Sequence, residues 1–166
     1  MKKLAILAGL LLAVCTSSFA QSGKSIYNKY SDSKGVSAVY ISPSMFKLIG
    51  KLPEIDVADG EVNLTPVVKD LEGMYLISIE DSKGCKSLRE DAEKMVKSGK
   101  YELLMETKED GETVSIHAIN SGEYVTSLVI LTVENDETTF IAFDGKIRQE
   151  DIERLLAAAV KDKDKD

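Results

Sequence analysis

From residue 101 to residue 143 apolar and polar side chains alternate with a period of two, and turn residues break the alternation at short intervals. "YELLMETK" runs into Glu109-Asp110-Gly111, then "TVSIHAI", then Asn120-Ser121-Gly122. "EYVTSLVILTV" follows, then Glu134-Asn135-Asp136 and "TTFIAF", with Asp144-Gly145 closing the run. A period of two sends successive side chains to opposite faces of a strand, and Asp-Gly supplies the positive backbone angles of a tight hairpin. The stretch predicts a meander of four antiparallel strands. Its third strand is the most apolar and is expected at the centre.

Upstream the pattern switches between helical and extended pieces. Ile26, Tyr27 and Tyr30 share one side of a short helix, with Gly35 as its stop. "VSAVYI", 36–41, is apolar and β-branched and reads as a buried strand. Ser42-Pro43 reads as an N-cap followed by proline at the first helical position, with Met45, Phe46, Leu48 and Ile49 as the apolar side. Gly50 and Pro53 end that helix. Thr65-Pro66 starts a short turn through Leu71, and "GMYLISIE", 73–80, is a second strand. "SKGCKSLREDAEKMVKSGK", 82–100, is the clearest helix: Ser87 and Glu90 have capping-box spacing, and Leu88, Ala92, Met95 and Val96 recur at helical intervals before Gly99. The last helix is "IRQEDIERLLAAAV", 147–160, with Ile152, Leu155, Leu156 and Ala159 as one stripe.

These elements make two layers, an α+β sandwich. A mixed or mostly antiparallel sheet ends in the four-strand meander, and helices pack on one face. Residues 21–160 form a single domain, and 161–166, "KDKDKD", form a charged disordered tail without a binding role.

The front of the chain places the protein. Lys2 and Lys3 precede an eleven-residue apolar or glycine run, Leu4 to Val14. A spanning helix needs about 20 residues, so the run fits a secretory signal peptide over 1–20 instead. Ser18-Phe19-Ala20 puts small residues at the third and first positions before a cut ahead of Gln21. The alternative end is a lipid-bearing Cys15, for which Val14 is a poor neighbour because the residue at that cut is normally small. The protein is therefore expected in the periplasm or at the cell surface, with an outer-membrane lipoprotein as the alternative. Only lipidation at Cys15 would tie it to a membrane.

Losing Lys2 and Lys3 with the leader takes the formal charge from −7 to −9. An acidic chain is a poor match for nucleic acid, which rewards clustered Lys and Arg. Cys85 is the one thiol left after the cut, so no internal disulfide forms. "DVADGEVNL" resembles a calcium loop but miscounts: from Asp56, Gly60 is fifth rather than sixth and Ala58 sits at a ligand position, so it reads as a solvated loop. His117 is the sole histidine and shares its strand parity with Thr113 and Ser115, which predicts the polar outer face of a hairpin. Cys85 lies near a helix start between Lys83 and Lys86, a setting that can activate a thiol, or it is a small apolar residue under the helix entry. Glu102 and Glu106 flank Leu104 and could oppose Ser115 or His117. No zinc, nucleotide or hydrolase motif is present, and neither a metal nor a cofactor is expected. Tyr27, Tyr30 and Phe46 are core residues or, if exposed together, a partner patch.

"KYSDSKGVSAVYISPSMFKLIG", "YELLMETKEDGETVSIHAI", "VTSLVIL" and "GKIRQEDIERLL" together resemble the family catalogued as domain of unknown function 4252. The resemblance runs from about Ile26 to Leu156. It implies a small exported protein of Bacteroidetes-type bacteria, some members being lipoproteins, and it carries over no active-site residues and is silent on mechanism. The expected function is a non-enzymatic cell-envelope module that binds a protein or another envelope component. The alternatives are a hydrolase or thiol enzyme using Cys85 or His117, and a carrier of an apolar ligand.

Overall fold

The computed structural model describes residues 22–49, 56–57, 62–63, 65–98 and 100–154. Helix α1 (Gly23–Tyr30) is followed by β1 (Val36–Ile41), α2 (Pro43–Ile49), β2 (Asp56–Val57), β3 (Val62–Asn63), α3 (Thr65–Val68) and β4 (Leu71–Ile79). Helix α4 (Ser82–Val96) then leads into β5 (Glu102–Glu109), β6 (Glu112–Ser121), β7 (Tyr124–Val133) and β8 (Thr138–Arg148), and a last helix, α5, is described over 149–154. Six strands form one antiparallel sheet in the order β1–β4–β8–β7–β6–β5. The expected meander is its β5-to-β8 half, and its third strand, β7, pairs with β8 at the centre. β2 and β3 make a separate two-stranded hairpin inside the stretch expected to be loop.

Local chemistry sets most boundaries. Ser22 caps α1, its Oγ accepting from the Ser25 amide while Ser25 Oγ accepts from the Ser22 amide. α1 ends at Tyr30, where the Ser31 amide closes on Tyr27 O, short of the expected stop at Gly35. The α4 cap is Asp81, not Ser87: its carboxylate accepts from the amides of Lys83 and Gly84, so the cap lies six residues earlier and Ser87 is inside the helix. Asp110 and Gly111 both have positive φ, 46° and 90°, as a two-residue hairpin turn requires. Gly145 does not end β8. It sits within the strand where an added Cβ would lie 2.7 Å from Asp70 O, and β8 continues to Arg148. The expected stops at Gly50, Pro53 and Gly99, the calcium-like Ala58 and Gly60, and the helix beyond 154 lie outside the described residues.

Two hydrophobic clusters lie on opposite faces of the sheet. On the first face α1 and α4 cover Tyr75, Ile77 and Ile79 of β4, Val129 and Leu131 of β7, and Phe140 and Ala142 of β8. Ile26, Leu88, Ala92 and Met95 supply the helix side. Burial of each large apolar side chain here is worth roughly 1.5–3 kcal/mol. At Gly23 an added Cβ would lie 2.4 Å from Ala142 Cβ, so α1 starts in direct contact with the central strand. The second cluster is smaller and lies at one end of the other face. Phe46 of α2, Val67 and Val68 of α3 and Ile152 of α5 pack there against Leu71, Ala118, Val125 and Ile147. Helices therefore fill one face and the end of the other. β1, expected as a buried strand, is an edge strand: it has a neighbour on one side only, and Val39 and Tyr40 are exposed.

One polar contact ties α1 to α4. Asp91 accepts from Tyr30 Oη at 2.5 Å and pairs with Lys29. Burial pushes the Asp91 carboxyl upward, but the bonds from Lys29 and Tyr30 outweigh it and hold the group below its ordinary value. Burial and the Asp91 charge push the Tyr30 phenol up. A depressed carboxylate stabilises the fold above its unfolded pKa, near 3.9, and loses that contribution as pH falls through the lower folded value. Asp91→Ala should therefore cost about 1.5–3 kcal/mol at pH 7, the range for hydrogen bonds to charged groups. The gap between variant and parent urea midpoints should narrow below about pH 4.

Candidate functional site

Cross-strand rows on the helix-covered face start apolar and turn polar at β6. Ala38, Ile77, Phe140 and Leu131 stand side by side on β1, β4, β8 and β7, and the same row continues as Ser115 on β6 and Glu106 on β5. The next row runs Tyr40, Tyr75, Ala142, Val129, then His117 and Leu103. A third ends in Thr113 and Lys108. The core stops at β7 because α4 covers the sheet no further. Between α4 and the β5–β6 hairpin lies an open groove of about 390 Å³. Its apolar lining is Val96, Leu103, Leu131 and Val133, and its polar lining includes Tyr101, Glu106, Ser115 and His117. Arg89 and Lys97, both paired with Glu93, form the helix rim, and Lys108, paired with Glu106, the strand rim.

His117 has the parity the sequence predicts but not the predicted face. It points to the side of α4, into the groove, while Val114, Ile116 and Ala118 face the other way. Its Nε2 lies 3.2 Å from Ser115 Oγ. Burial lowers the imidazole below its ordinary pKa, and the nearby Glu106 offsets this in part. At the inner end of the groove Tyr101 Oη and Ser127 Oγ are 3.0 Å apart, and Ser127 Oγ donates to Asp144 Oδ1 at 3.0 Å. Burial raises the Asp144 carboxyl. The Ser127 bond opposes that shift and the Glu72 charge adds to it.

Cys85 is elsewhere. It is buried under the start of α4, and its thiol donates to Ile79 O at 2.9 Å. It does not line the His117 groove, so the structure does not assemble a Cys–His pair. This is the packed position under the helix entry, not an accessible one. The partner patch of Tyr27, Tyr30 and Phe46 does not form a surface. Tyr30 is 7% exposed against Asp91, and Phe46 is 4% exposed in the cluster on the opposite face. Only Tyr27 reaches the edge of the core, where its ring meets Tyr40 and Tyr75. Glu102 and Glu106 do not share a face either. A register shift between Leu103 and Met105 puts Glu106 opposite Ser115 and Glu102 opposite Ala118. A second recess of about 650 Å³, rimmed by Lys47, Lys69, Lys146, Arg148, Asp70 and Glu72, lies at the far end of the sheet and is charged rather than apolar. Among the described residues no cluster of three metal-type ligands occurs, and no helix is long and apolar enough to cross a membrane.

The six-stranded sheet falls within one family's span: a family model described as domain of unknown function (DUF4252) matches residues 30–155. The chain belongs to the DUF4252 family. No curated protein and no solved structure matches it. The DUF4252 match extends from the last residue of α1 past the start of α5, so the groove and both sheet faces lie inside it.

Sequence reasoning singled out His117 but missed its setting in this DUF4252 domain. Arg89, Glu93 and Lys97 look like the solvated side of α4, and only the sheet order shows that this side overhangs β5 and β6. Tyr101 and Asp144 flank turns and give no local signal, since the Ser127 bridge joins residues far apart in sequence. The Asp144 charge is unfavourable in the fold. With a folded pKa above the unfolded one, its contribution to stability is fully present below about pH 4 and is lost as pH rises through the raised folded value. Asp144→Asn keeps an acceptor for Ser127 and removes the charge. The variant should melt higher than the parent at pH 7, and the difference should vanish at or below about pH 4 in thermal scans.

Proposed function

We propose that this protein is an exported, non-enzymatic binding module of the cell envelope, and that it takes an extended segment of a partner polypeptide along β5. The leader pattern over 1–20 supports export. The observation that carries the binding reading is the pairing of a free strand edge with a groove whose polar floor has Leu103 at its outer corner. β5 is the last strand of the sheet, its eight residues are exposed, and Leu103, Leu104 and Met105 lie on its first half. An edge strand presents unpaired backbone donors and acceptors to an added strand. A strand added there would place alternate side chains beside Leu103, at the mouth of the groove.

A second reading, general-base chemistry at His117, draws on its contact with Ser115. Ser115 is itself 7% exposed, so this hydroxyl is poorly placed to meet a substrate. The two readings separate in one experiment. Mature protein on a resin should capture a partner from envelope extract, and Leu103→Asp with Met105→Asp should reduce the yield at least about tenfold, as hot-spot losses of 1.4 kcal/mol or more do. His117→Ala should leave the same partner bound. Unchanged capture by the β5 variant would overturn the edge-strand reading, and hydrolysis of an extract component that His117→Ala abolishes would establish the second.

The front end is tested by mass. The exported chain should have the mass of residues 21–166. Processing at Cys15 would instead retain six further residues and add acyl chains, giving an outer-membrane lipoprotein.

A further inference from the structure

A chain with a formal net charge of −7 gathers cations at one end of its sheet. The recess of about 650 Å³ there is lined by Lys47, Lys69, Lys146 and Arg148 against two carboxylates, Asp70 and Glu72, a formal charge of +2. The fold brings the four together from three separate parts of the chain. Lys47 is on α2, next to Phe46, which is buried in the second cluster. Lys69 lies in the turn between α3 and β4. That turn is held against the end of β8: the Lys146 amide donates to Asp70 O at 3.1 Å, and Leu71 stands opposite Gly145. Lys146 and Arg148 flank Ile147, which is buried in the second cluster, and both are themselves exposed. Tyr124 pairs with Arg148 across β7 and β8, and its phenol joins the Ser121 hydroxyl in the lining.

Among the described residues Lys47, Lys69 and Lys146 have no ion-pair partner, and Arg148 has one, Glu150 at 3.3 Å. Asp70 and Glu72 share the recess without pairing to any of the four among those residues. Such a set favours a ligand with one concentrated anionic group. A phosphate ester carries about one to two negative charges and several strong acceptor oxygens. Ammonium groups meet it as point charges, and a guanidinium meets it with parallel N–H donors. The two carboxylates disfavour an extended polyanion, but they accept hydrogen bonds from ligand hydroxyls. The volume lies in the range of about 300–1,000 Å³ that holds small molecules.

We infer that this recess is a binding site for a phosphorylated polyol. Lys47, Lys69, Lys146 and Arg148 hold the phosphate, and Asp70 and Glu72 accept from the hydroxyls. The ligand is a soluble polyol phosphate or the same group displayed as a lipid headgroup. The inference does not depend on strand binding at β5, because the recess and the groove share no lining residue.

The test uses mature protein with two probes: glycerol 3-phosphate, and phosphatidylcholine vesicles with and without phosphatidylglycerol. Lys69→Ala with Lys146→Ala removes two cations from the recess. Lys24→Ala with Lys34→Ala removes two exposed lysines outside it and is the charge-matched control. Glycerol 3-phosphate, followed by amide NMR, should shift the signals of residues 69–72, 121–126 and 146–148, and glycerol should not. The recess variant should weaken binding at least about tenfold, as loss of hydrogen bonds to a charged group does, and the control should stay within about twofold. A site for the lipid form would instead show the same ranking of variants in co-sedimentation with phosphatidylglycerol vesicles, and no shift with the free ligand. All four substituted lysines are exposed, and matching amide spectra away from the substitutions verify that each variant is folded. Equal losses in the two variants would mean diffuse charge attraction and overturn the proposal. Shifts centred elsewhere, equal shifts with glycerol, or no response to either the vesicles or about 10 mM glycerol 3-phosphate would overturn it as well.

Discussion

Strand β8 carries Phe140 and Ala142 to one side and Ile141 and Phe143 to the other, and β7 does the same with Val129 and Leu131 against Leu128 and Ile130. A central pair that is apolar on both sides needs cover on both sides. This requirement accounts for the distribution of helices. α1 and α4 are amphipathic and long enough to close the first face over β4, β8 and β7. α2, α3 and the described part of α5 are short and close only one end of the second. The polar contacts then work at the borders of these covers. Asp91 ties the two large helices together, and Tyr101, Ser127 and Asp144 seal the place where the first cover stops.

The groove is a consequence of the same geometry. Six strands make a sheet wider than two helices can shield, and the uncovered strands are β6 and β5. Their side chains on that face are accordingly Thr113, Ser115 and His117, then Lys108 and Glu106, with Leu103 at the corner. A polar strip bordered by Val96, Leu131 and Val133 is neither core nor ordinary surface. It is concave because α4 overhangs it, and it is edged by a strand with one side of its backbone unpaired. Nothing in it concentrates a nucleophile, base and anion-stabilising group on one point. His117 and Ser115 are neighbours because they are two residues apart on one strand, a spacing every strand provides.

Much of the fold was legible from local pattern. Alternation located the four strands of the meander, and Asp110-Gly111 and Gly122 located two of its turns, because period and positive φ are properties of a few adjacent residues. Parity also separated His117, Ser115 and Thr113 from Val114 and Ile116. What parity cannot say is which side faces the helices. The usual assumption, apolar in and polar out, assigned His117 to the outside, and it failed because β6 has its larger apolar residues on the second face. The α4 cap was misplaced for a related reason. Ser87 and Glu90 match the capping-box spacing, but Asp81 offers a carboxylate six residues earlier, and the turn leaving β4 puts it at the helix start. The aromatic patch failed on topology. Tyr30 and Phe46 are close in sequence but are sent to opposite faces once β1 passes between them.

The two edges of the sheet are not equivalent, and the difference bears on recognition. β1 carries Val39 and Tyr40, but it is six residues long, Tyr40 stacks on Tyr75, and α2 follows it after a single residue. β5 is longer and ends in a tight hairpin. Its second half carries Glu106, Lys108 and Glu109, charges of the kind that discourage indiscriminate strand addition. Its first half keeps Leu103, Leu104 and Met105 and contains the register shift, which twists the strand and interrupts a uniform ladder. A partner strand must therefore match the apolar half, tolerate the irregularity and meet the charges beyond it. Those three demands would make β5 a selective edge instead of a generally adhesive one, and selectivity is what distinguishes a binding strand from an aggregation hazard on an open sheet.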